Sequence, residues 1–350
     1  MNNYIFKFFR ILLFNFIFIT IFILIIELLF GYWFDKDNLG PYMREHRMKN
    51  QEITWIYKDE KIKYNYKRNY YGFRGEDIKL SEIKAIIIGG SLIDERYKPH
   101  KYTVTGYLNK ILKENNINLS IINGSILAQS TVGIIYGLEN WILKLKELKP
   151  NYFLYYVGFN DLLIPEDVKL KSKSADGHIL NPDAKERFWD NFKSRSIIYD
   201  SIRILKHRHL PKKKLIKYDG NPMKNYKENF NFKNYEDAKK NNNMSLLNEK
   251  YNTRIQNYLK RIDVINEITK SKGAEAIFIT NVVSFGHTEM LYTFNNSLLD
   301  HCKVKKYKCI DTAKKIRGDI NFWYDGIHFT KDGAEHTANL IAKDLIKFFD

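Results

Sequence analysis

The stretch KAIIIGGS, from Lys84 to Ser91, decides the fold because a short apolar strand runs directly into a Gly-Gly-Ser turn. The strand does not alternate polar and apolar residues, which is typical of a strand covered on both faces. Glycines in the turn let the backbone approach a neighbouring group closely and lift the Ser91 hydroxyl above the strand end. We therefore expect a buried parallel strand with a functional group at its carboxyl end.

Further apolar strands follow, and helical patterns separate them. The predicted strands are Leu119 to Ile122, Tyr152 to Val157 and Glu275 to Thr280, and the predicted helices are Val104 to Asn115, Ile134 to Leu148, Asn252 to Lys272 and Lys331 to Phe348. Strands of this kind that interleave with helices indicate a parallel sheet with helices on both faces. The predicted fold class is a doubly wound, flavodoxin-like α/β three-layer sandwich.

An apolar run precedes this domain. It extends from Ile11 to Trp33, ILLFNFIFITIFILIIELLFGYW, and Glu27 is the single charge among its 23 residues. A helix of this length spans a hydrocarbon core of about 30 Å. The run is longer than the apolar part of a cleaved signal peptide, and no small-x-small cleavage site follows it, so we expect an uncleaved transmembrane anchor.

The charges that flank the run predict its orientation. Lys7 and Arg10 precede it, whereas the segment 35–37 that follows has a net charge of minus one. The positive-inside rule places the N-terminus in the cytoplasm and residues 36–350 in the periplasm or outside the cell. The predicted organisation is a cytoplasmic tip and anchor over 1–34, a stem over 35–82, and a domain over 83–350 that carries a polar insertion at 162–250.

Four short motifs follow the predicted strands or precede the last helix. They are Gly89-Gly90-Ser91, Asn123-Gly124-Ser125, Gly158-Phe159-Asn160-Asp161 and Asp325-Gly326-Ile327-His328. Each alone is common in turns for conformational reasons. Ligands bind at the carboxyl ends of the strands in such sheets, so the four together predict one site. A serine hydroxyl becomes nucleophilic beside a neutral imidazole, and a carboxylate three residues before the histidine orients that ring.

This order of motifs resembles that of the SGNH hydrolases, also called GDSL-type esterases, over roughly residues 83 to 345. The resemblance implies that Ser91 is the nucleophile, His328 the general base and Asp325 the carboxylate that orients the base. It also implies an oxyanion hole that combines the Ser91 amide, the amide of Gly124 or Ser125, and the Asn160 side chain.

The sequence departs from the family pattern at two positions. Gly90 stands where the motif that names the family has aspartate, and Ser125 replaces the usual glycine of the second motif. The segment Asn69 to Gly75 resembles one that precedes the serine motif in membrane-linked relatives. We expect it to form a β-turn that supports the sheet, and contact with substrate is the alternative. His207, His209, His287 and His336 are expected to be surface or packing residues.

The expected function is a membrane-anchored serine esterase or O-acyltransferase that acts on acyl groups, foremost acetyl, of cell-envelope carbohydrate. Two alternatives stay open: a catalytically silent binding or assembly component of an envelope polysaccharide system, and a lipase. No cofactor is expected. No metal is expected either, because no His or Cys stands at ligand spacing around Cys302 and Cys309. These two cysteines would form a small disulfide loop or remain buried thiols.

The net charge of +17, from 57 Lys and Arg against 40 Asp and Glu, belongs entirely to the predicted exported part. Nine basic residues and Asp200 give the stretch Lys193 to Lys217 a net charge of +8. Such a stretch is a solvated face, or it binds an anionic glycan or an anionic lipid surface. An exported domain with no recognition motif is not expected to bind nucleic acid.

Overall fold

The computed structural model describes residues 2–31, 33–34, 50–69, 71–164, 189, 192, 195–199, 201–202, 205, 216–222 and 230–348. The chain forms two compact units. One comprises Met1–Arg44 and Pro182–Lys214, and the other comprises Glu45–Asn181 and Leu215–Asp350.

The first unit contains helix α1, Asn2–Phe30. Its segment Tyr4–Phe30 has a mean hydropathy of 2.8 and is long and apolar enough to cross a membrane, by length and composition. The Glu27 carboxylate accepts hydrogen bonds from Trp33 Nε1 at 2.9 Å and from the backbone N–H groups of Ile197 and Ile198, both at 3.2 Å. The Ser196 hydroxyl donates to it as well. The one carboxylate of this helix is therefore satisfied by donors of its own unit.

The second unit is built on a five-stranded parallel sheet. Its strands are β3, Ala85–Gly89; β4, Ile121–Asn123; β5, Tyr152–Tyr156; β7, Glu275–Ile279; and β8, Lys308–Ile310. They lie in the order β4-β3-β5-β7-β8. This is the flavodoxin-like order, in which the chain reverses its direction of winding after the first two strands. The predicted doubly wound α/β class is confirmed.

The helices of this unit cover both faces of the sheet. They are α2, Ser91–Asp94; α3, Val104–Glu114; α4, Thr131–Asn140; α5, Tyr235–Asn241; α6, Met244–Lys250; α7, Asn252–Ser271; α8, Glu289–Lys305; and α9, Lys331–Ile346. Helix α3 packs against α9, and α4 packs against α7. The fully buried residues of the sheet include Ile86, Ile87, Phe153 and Phe278, as expected for strands without alternation.

A second, three-stranded sheet was not predicted. Strand β1, Asn50–Tyr57, pairs antiparallel with β2, Glu60–Lys67, and parallel with β6, Ile216–Asp219. Ile53 and Trp55 of β1 are buried. The predicted stem thus contains a β-hairpin, and part of the predicted insertion pairs with it.

Several boundaries differ from the prediction, and tertiary contacts account for two of them, the starts of α4 and β4. Helix α4 begins at Thr131 instead of Ile134, because the Asp161 carboxylate accepts hydrogen bonds from the backbone N–H and the hydroxyl of Thr131. It ends at Asn140, well before the predicted Leu148. Strand β4 begins at Ile121, whose N–H and C=O both bond the Asn109 side chain of α3 at 2.8 Å.

Cys302 on α8 and Cys309 on β8 form a disulfide, with their Cα atoms 6.3 Å apart. The bond joins the end of this helix to the edge strand of the sheet. Of the two alternatives for these cysteines, the structure contains the disulfide loop.

Replacing Cys302 with serine should lower the free energy of unfolding by roughly 2.5 kcal/mol, because the bond restricts a short loop of the unfolded chain. Urea unfolding of the variant, and of wild-type protein with and without reductant, measures this loss. Reduced wild-type protein should lose stability by the same amount. A reduced protein as stable as the oxidised one would contradict the prediction.

Candidate active site

The Ser91 turn lies at the carboxyl end of β3, where Gly90 precedes the first residue of α2. A Cβ atom built on Gly90 would lie 1.9 Å from Asn160 Nδ2. The Asn160 amide therefore packs directly against the Gly90 backbone, and any side chain at position 90 would have to displace it.

Asn160 follows β5 in a turn that begins at Gly158, which has a φ of 122°. Its Nδ2 atom donates to the carbonyl of Gln129 at 3.0 Å. Strands β3 and β5 are neighbours on either side of the point where the winding direction reverses, which is where ligands bind in such sheets. The structure thus brings Asn160 against the Ser91 turn, as the motif order predicted.

The neighbouring Asp161 is 3% exposed and ties this turn to α4. Besides Thr131, it contacts Arg261 of α7, whose Nη2 lies 3.4 Å from Asp161 Oδ1. Burial raises the pKa of Asp161, and the Arg261 charge and the Thr131 hydrogen bonds oppose that rise. Asp161 therefore holds the turn that carries Asn160.

His328 and Asp325 form a closely coupled pair. His328 Nδ1 lies 2.7 Å from Asp325 Oδ2, and Asp325 Oδ1 accepts the backbone N–H groups of Ile327 and His328, both at 2.7 Å. Burial alone would raise the pKa of Asp325, but the hydrogen bond and charge of His328 outweigh it and lower that pKa. With Nδ1 donating to the carboxylate, Nε2 is the nitrogen that accepts a proton.

Three tyrosine rings form a series of contacts that begins at the His328 ring. The ring of Tyr324 stacks on His328 with centroids 5.6 Å apart, and Tyr218 of β6 meets Tyr324 edge-on at 5.2 Å. Tyr97 in turn stacks on Tyr218 at 4.3 Å. All three are half-buried. The predicted insertion therefore contributes an aromatic side chain next to the His328 pair.

The oxyanion-hole prediction fails at Gly124 and Ser125. The Gly124 N–H donates to the carbonyl of Ile87 at 2.9 Å, and the Ser125 N–H donates to Asn123 Oδ1 at 2.9 Å. Both residues are buried. The Gly124 amide continues the pairing with β3 by one residue, and the Ser125 amide closes a turn on the Asn123 side chain, so neither is free to donate to a substrate.

Ala128 offers an alternative donor that the sequence analysis missed. Its φ is 57°, the left-handed conformation, and it is partly exposed. Within the described residues its backbone N–H has no hydrogen-bond acceptor, and the next carbonyl, of Gln129, accepts from Asn160. The amide of Ser91 likewise has no acceptor there. An alanine gives no sequence signal for a left-handed position, which glycine would have given.

Ser91 and His328 come from different parts of the chain, and no hydrogen bond joins them among the residues that the structure describes. Catalytic hydrogen bonds are often long in unliganded enzymes and tighten in the reacting complex. Ser91 begins α2 directly after β3, Asn160 follows β5, and Asp325 and His328 precede α9.

Other predicted features lie apart from this site. His287 is buried and its Nε2 lies 3.1 Å from the Ala313 carbonyl, whereas the His336 ring stacks on Phe322. His207, His209 and most of the stretch Lys193 to Lys217 lie outside the described residues. Within the described ranges, no group of three or more His, Cys, Asp or Glu side chains is placed to hold a metal ion.

The segment Asn69 to Gly75 supports the Ser91 turn through two buried arginines. Arg68, just before the segment, bonds Asp94 of α2 and the Ser125 carbonyl at 2.8 and 2.6 Å. Arg74 donates to the carbonyl of Lys98 at 2.7 Å. The Arg74 backbone N–H donates to the Asn123 carbonyl of the edge strand β4 at 2.8 Å, so this residue of the segment lies against the sheet edge, as expected.

No protein-family model matches the chain, and no curated protein is similar to it in sequence. Solved structures are similar at low identity. They include the esterase EstA from Pseudoalteromonas sp. (11% identity, 76% of this chain and 98% of that one, TM-score 0.43). The acetylxylan esterase Axe2 from Geobacillus stearothermophilus has 11% identity over 75% and 94% of the two chains, with a TM-score of 0.42. A GDSL-like lipase from Bacteroides thetaiotaomicron has 10% identity over 77% and 91%, with a TM-score of 0.38. At such TM-scores the likenesses carry no weight for function.

Proposed function

We propose that this chain is a serine esterase or O-acyltransferase that cleaves ester bonds through Ser91, His328 and Asp325. The observation that carries the proposal is the 2.7 Å contact of His328 Nδ1 with Asp325 Oδ2, which leaves Nε2 as the base. The Ser91 turn at the carboxyl end of β3 and the Asn160 amide against it supply the nucleophile and one donor.

The first half of the proposed reaction forms an acyl-enzyme. The Ser91 Oγ atom attacks the ester carbonyl carbon while its proton passes to His328 Nε2. Negative charge grows on the carbonyl oxygen, where the amides of Ser91 and Ala128 and the Asn160 side chain donate hydrogen bonds. The tetrahedral intermediate then expels the alcohol, which takes the proton from His328.

The second half returns the enzyme to its starting state. Water, or the hydroxyl of a sugar acceptor, gives its proton to His328 Nε2 and attacks the acyl carbon. The Ser91 oxygen leaves and takes that proton back. Water as acceptor makes the protein an esterase, and a sugar hydroxyl makes it an O-acyltransferase.

We further propose that the substrate is an acylated, foremost acetylated, carbohydrate of the cell envelope. The half-buried Tyr324 beside His328, with Tyr218 against it, supports this, because tyrosine side chains combine a large apolar surface with a polar hydroxyl. The apolar helix α1 would anchor the enzyme with its N-terminus in the cytoplasm and the catalytic domain outside.

The full-length protein in detergent, incubated with a chromogenic acetyl ester, tests the reaction type. Activity that depends on Ser91 is expected, and acetate release from acetylated oligosaccharide tests the substrate class. Acetylated sugar formed after addition of an unmodified oligosaccharide would identify a transferase. Folded protein without activity on any ester would favour a silent binding component, and preference for long-chain phospholipid esters would favour a lipase.

Replacing Asn160 with alanine should lower kcat about a hundred- to a thousandfold, because one donor to the developing oxyanion is lost. Asn115→Ala is the matched control, since its Nδ2 bonds only the carbonyl of Ile111 in its own helix. We expect the control to retain wild-type kcat and both variants to remain folded by circular dichroism. Unaltered turnover in folded Asn160→Ala protein would rule out the proposed role.

A further inference from the structure

A buried ion pair lies between the Ser91 helix and the loop that carries His328. Lys98 Nζ lies 2.7 Å from Glu95 Oε1, and the two residues are only 2% and 4% exposed. Neither residue was singled out in the sequence. Buried ion pairs often contribute little to stability relative to apolar residues of similar volume, so their presence calls for a specific role.

Lys98 holds the backbone directly after His328. Its Nζ donates to the carbonyl of Phe329 at 2.6 Å and to that of Thr330 at 3.0 Å. With the Glu95 carboxylate, these acceptors match the three N–H donors of an ammonium group. The lysine therefore fixes two consecutive peptide groups next to the proposed base.

Glu95 ties the same lysine to the nucleophile. Its backbone N–H donates to the carbonyl of Ser91 at 3.0 Å and ends α2, and its φ is 44°, in the left-handed region. Its second carboxylate oxygen accepts the N–H of Val104 at the start of α3. These two hydrogen bonds, one from the Glu95 backbone and one to its side chain, hold the Glu95 carboxylate in place relative to the Ser91 carbonyl.

We propose that Glu95 and Lys98 are positioning residues that set the His328 loop against the Ser91 helix. Two ionic side chains bridge segments more than two hundred residues apart, from the nucleophile's own helix to the carbonyls that follow the base. The catalytic part of this inference rests on the proposed function, whereas the structural coupling does not.

The first test is Lys98→Met, which keeps an unbranched side chain and removes the charge. We expect kcat for a chromogenic ester to fall about a hundredfold with KM within about twofold of wild type, because a small displacement of reacting groups costs that much in rate. The matched control is Thr269→Val, which removes a buried hydrogen bond to Tyr155 away from both loops. It should lower the melting temperature and leave kcat unchanged.

Hydrogen exchange measures the coupling without any activity. In Lys98→Met we expect faster exchange of the Ile327 and His328 amides, which bond Asp325 in the wild-type protein, and unchanged exchange in the central strands. Thr269→Val should not alter exchange in the 325–330 loop. Unchanged loop exchange and wild-type kcat in folded Lys98→Met protein would overturn the proposal.

A second variant covers the case in which Lys98→Met does not fold, because it leaves the Glu95 carboxylate buried without its partner. Glu95→Gln combined with Lys98→Met removes both charges, and it should fold with the same loss of kcat and faster loop exchange. Wild-type kcat in this folded double variant would overturn the proposal. If wild-type protein hydrolyses no ester but loop exchange rises in these variants, the proposed function fails and the coupling stands.

Discussion

Replacing Ser91 with alanine should lower kcat for a chromogenic acetyl ester about a millionfold. Loss of the nucleophile alone removes about as much activity as loss of a whole triad, because the triad residues act as one unit. Steady-state kinetics of the full-length protein in detergent measure the effect. KM cannot be compared where no turnover remains, so substrate binding is checked separately by protection against proteolysis.

The control for this prediction is Ser271→Ala. Its hydroxyl donates to the carbonyl of Ile268 on the surface of α7, and the variant should have wild-type kcat. A fluorophosphonate should label wild-type protein at Ser91 and leave Ser91→Ala unlabelled, as read by peptide mass spectrometry. Ester hydrolysis that survives in Ser91→Ala would show that another residue is the nucleophile.

Replacing Asp325 with asparagine should lower kcat about ten-thousandfold while the loop keeps its shape. The Asn Oδ1 atom can still accept the Ile327 and His328 N–H groups, whose bonds hold the turn. Its amide nitrogen would face His328 Nδ1 and donate to it, so the ring proton moves to Nε2 and the base is lost. The imidazolium that forms during acyl transfer also loses its carboxylate partner.

Asp319→Asn is the matched control for this change. The Asp319 carboxylate also accepts a backbone N–H in a turn, that of Asn321 at 2.9 Å, but it contacts no catalytic group. Both variants should melt within a few degrees of wild type, and only Asp325→Asn should lose activity. Wild-type kcat in Asp325→Asn would show that the carboxylate does not orient the base.

The sheet was predictable where apolar runs are long enough to stand out. Strands β3, β5 and β7 are continuous apolar segments, and their burial on both faces leaves no room for polar residues. Strands β8 (KCI) and β6 (IKYD) are short and contain lysine, so neither stands out as an apolar run. They become strands because they pair with neighbours that are distant in sequence. A single sequence contains no pattern that shows such pairing.

The proposed site was predictable to a similar degree. Motif order predicted four side chains, because a nucleophile, a base, an orienting carboxylate and an amide donor each require a particular residue type. These are Ser91, His328, Asp325 and Asn160. The oxyanion donors are backbone groups, which every residue has, so the prediction of Gly124 or Ser125 rested on the motif resemblance alone and failed. Backbone pairing within the protein occupies most N–H groups, and this pairing decides which ones remain available to a substrate.

The sequence by itself determined the fold class and the side chains proposed for catalysis, because burial periodicity and reactive groups are properties of local residues. Only the tertiary structure decided what surrounds them. The Asn160 amide, which follows β5, lies against the Gly90 backbone, and Lys98 donates to the carbonyls of Phe329 and Thr330. Such contacts join segments far apart in the chain, so their geometry exists only once the sheet has formed.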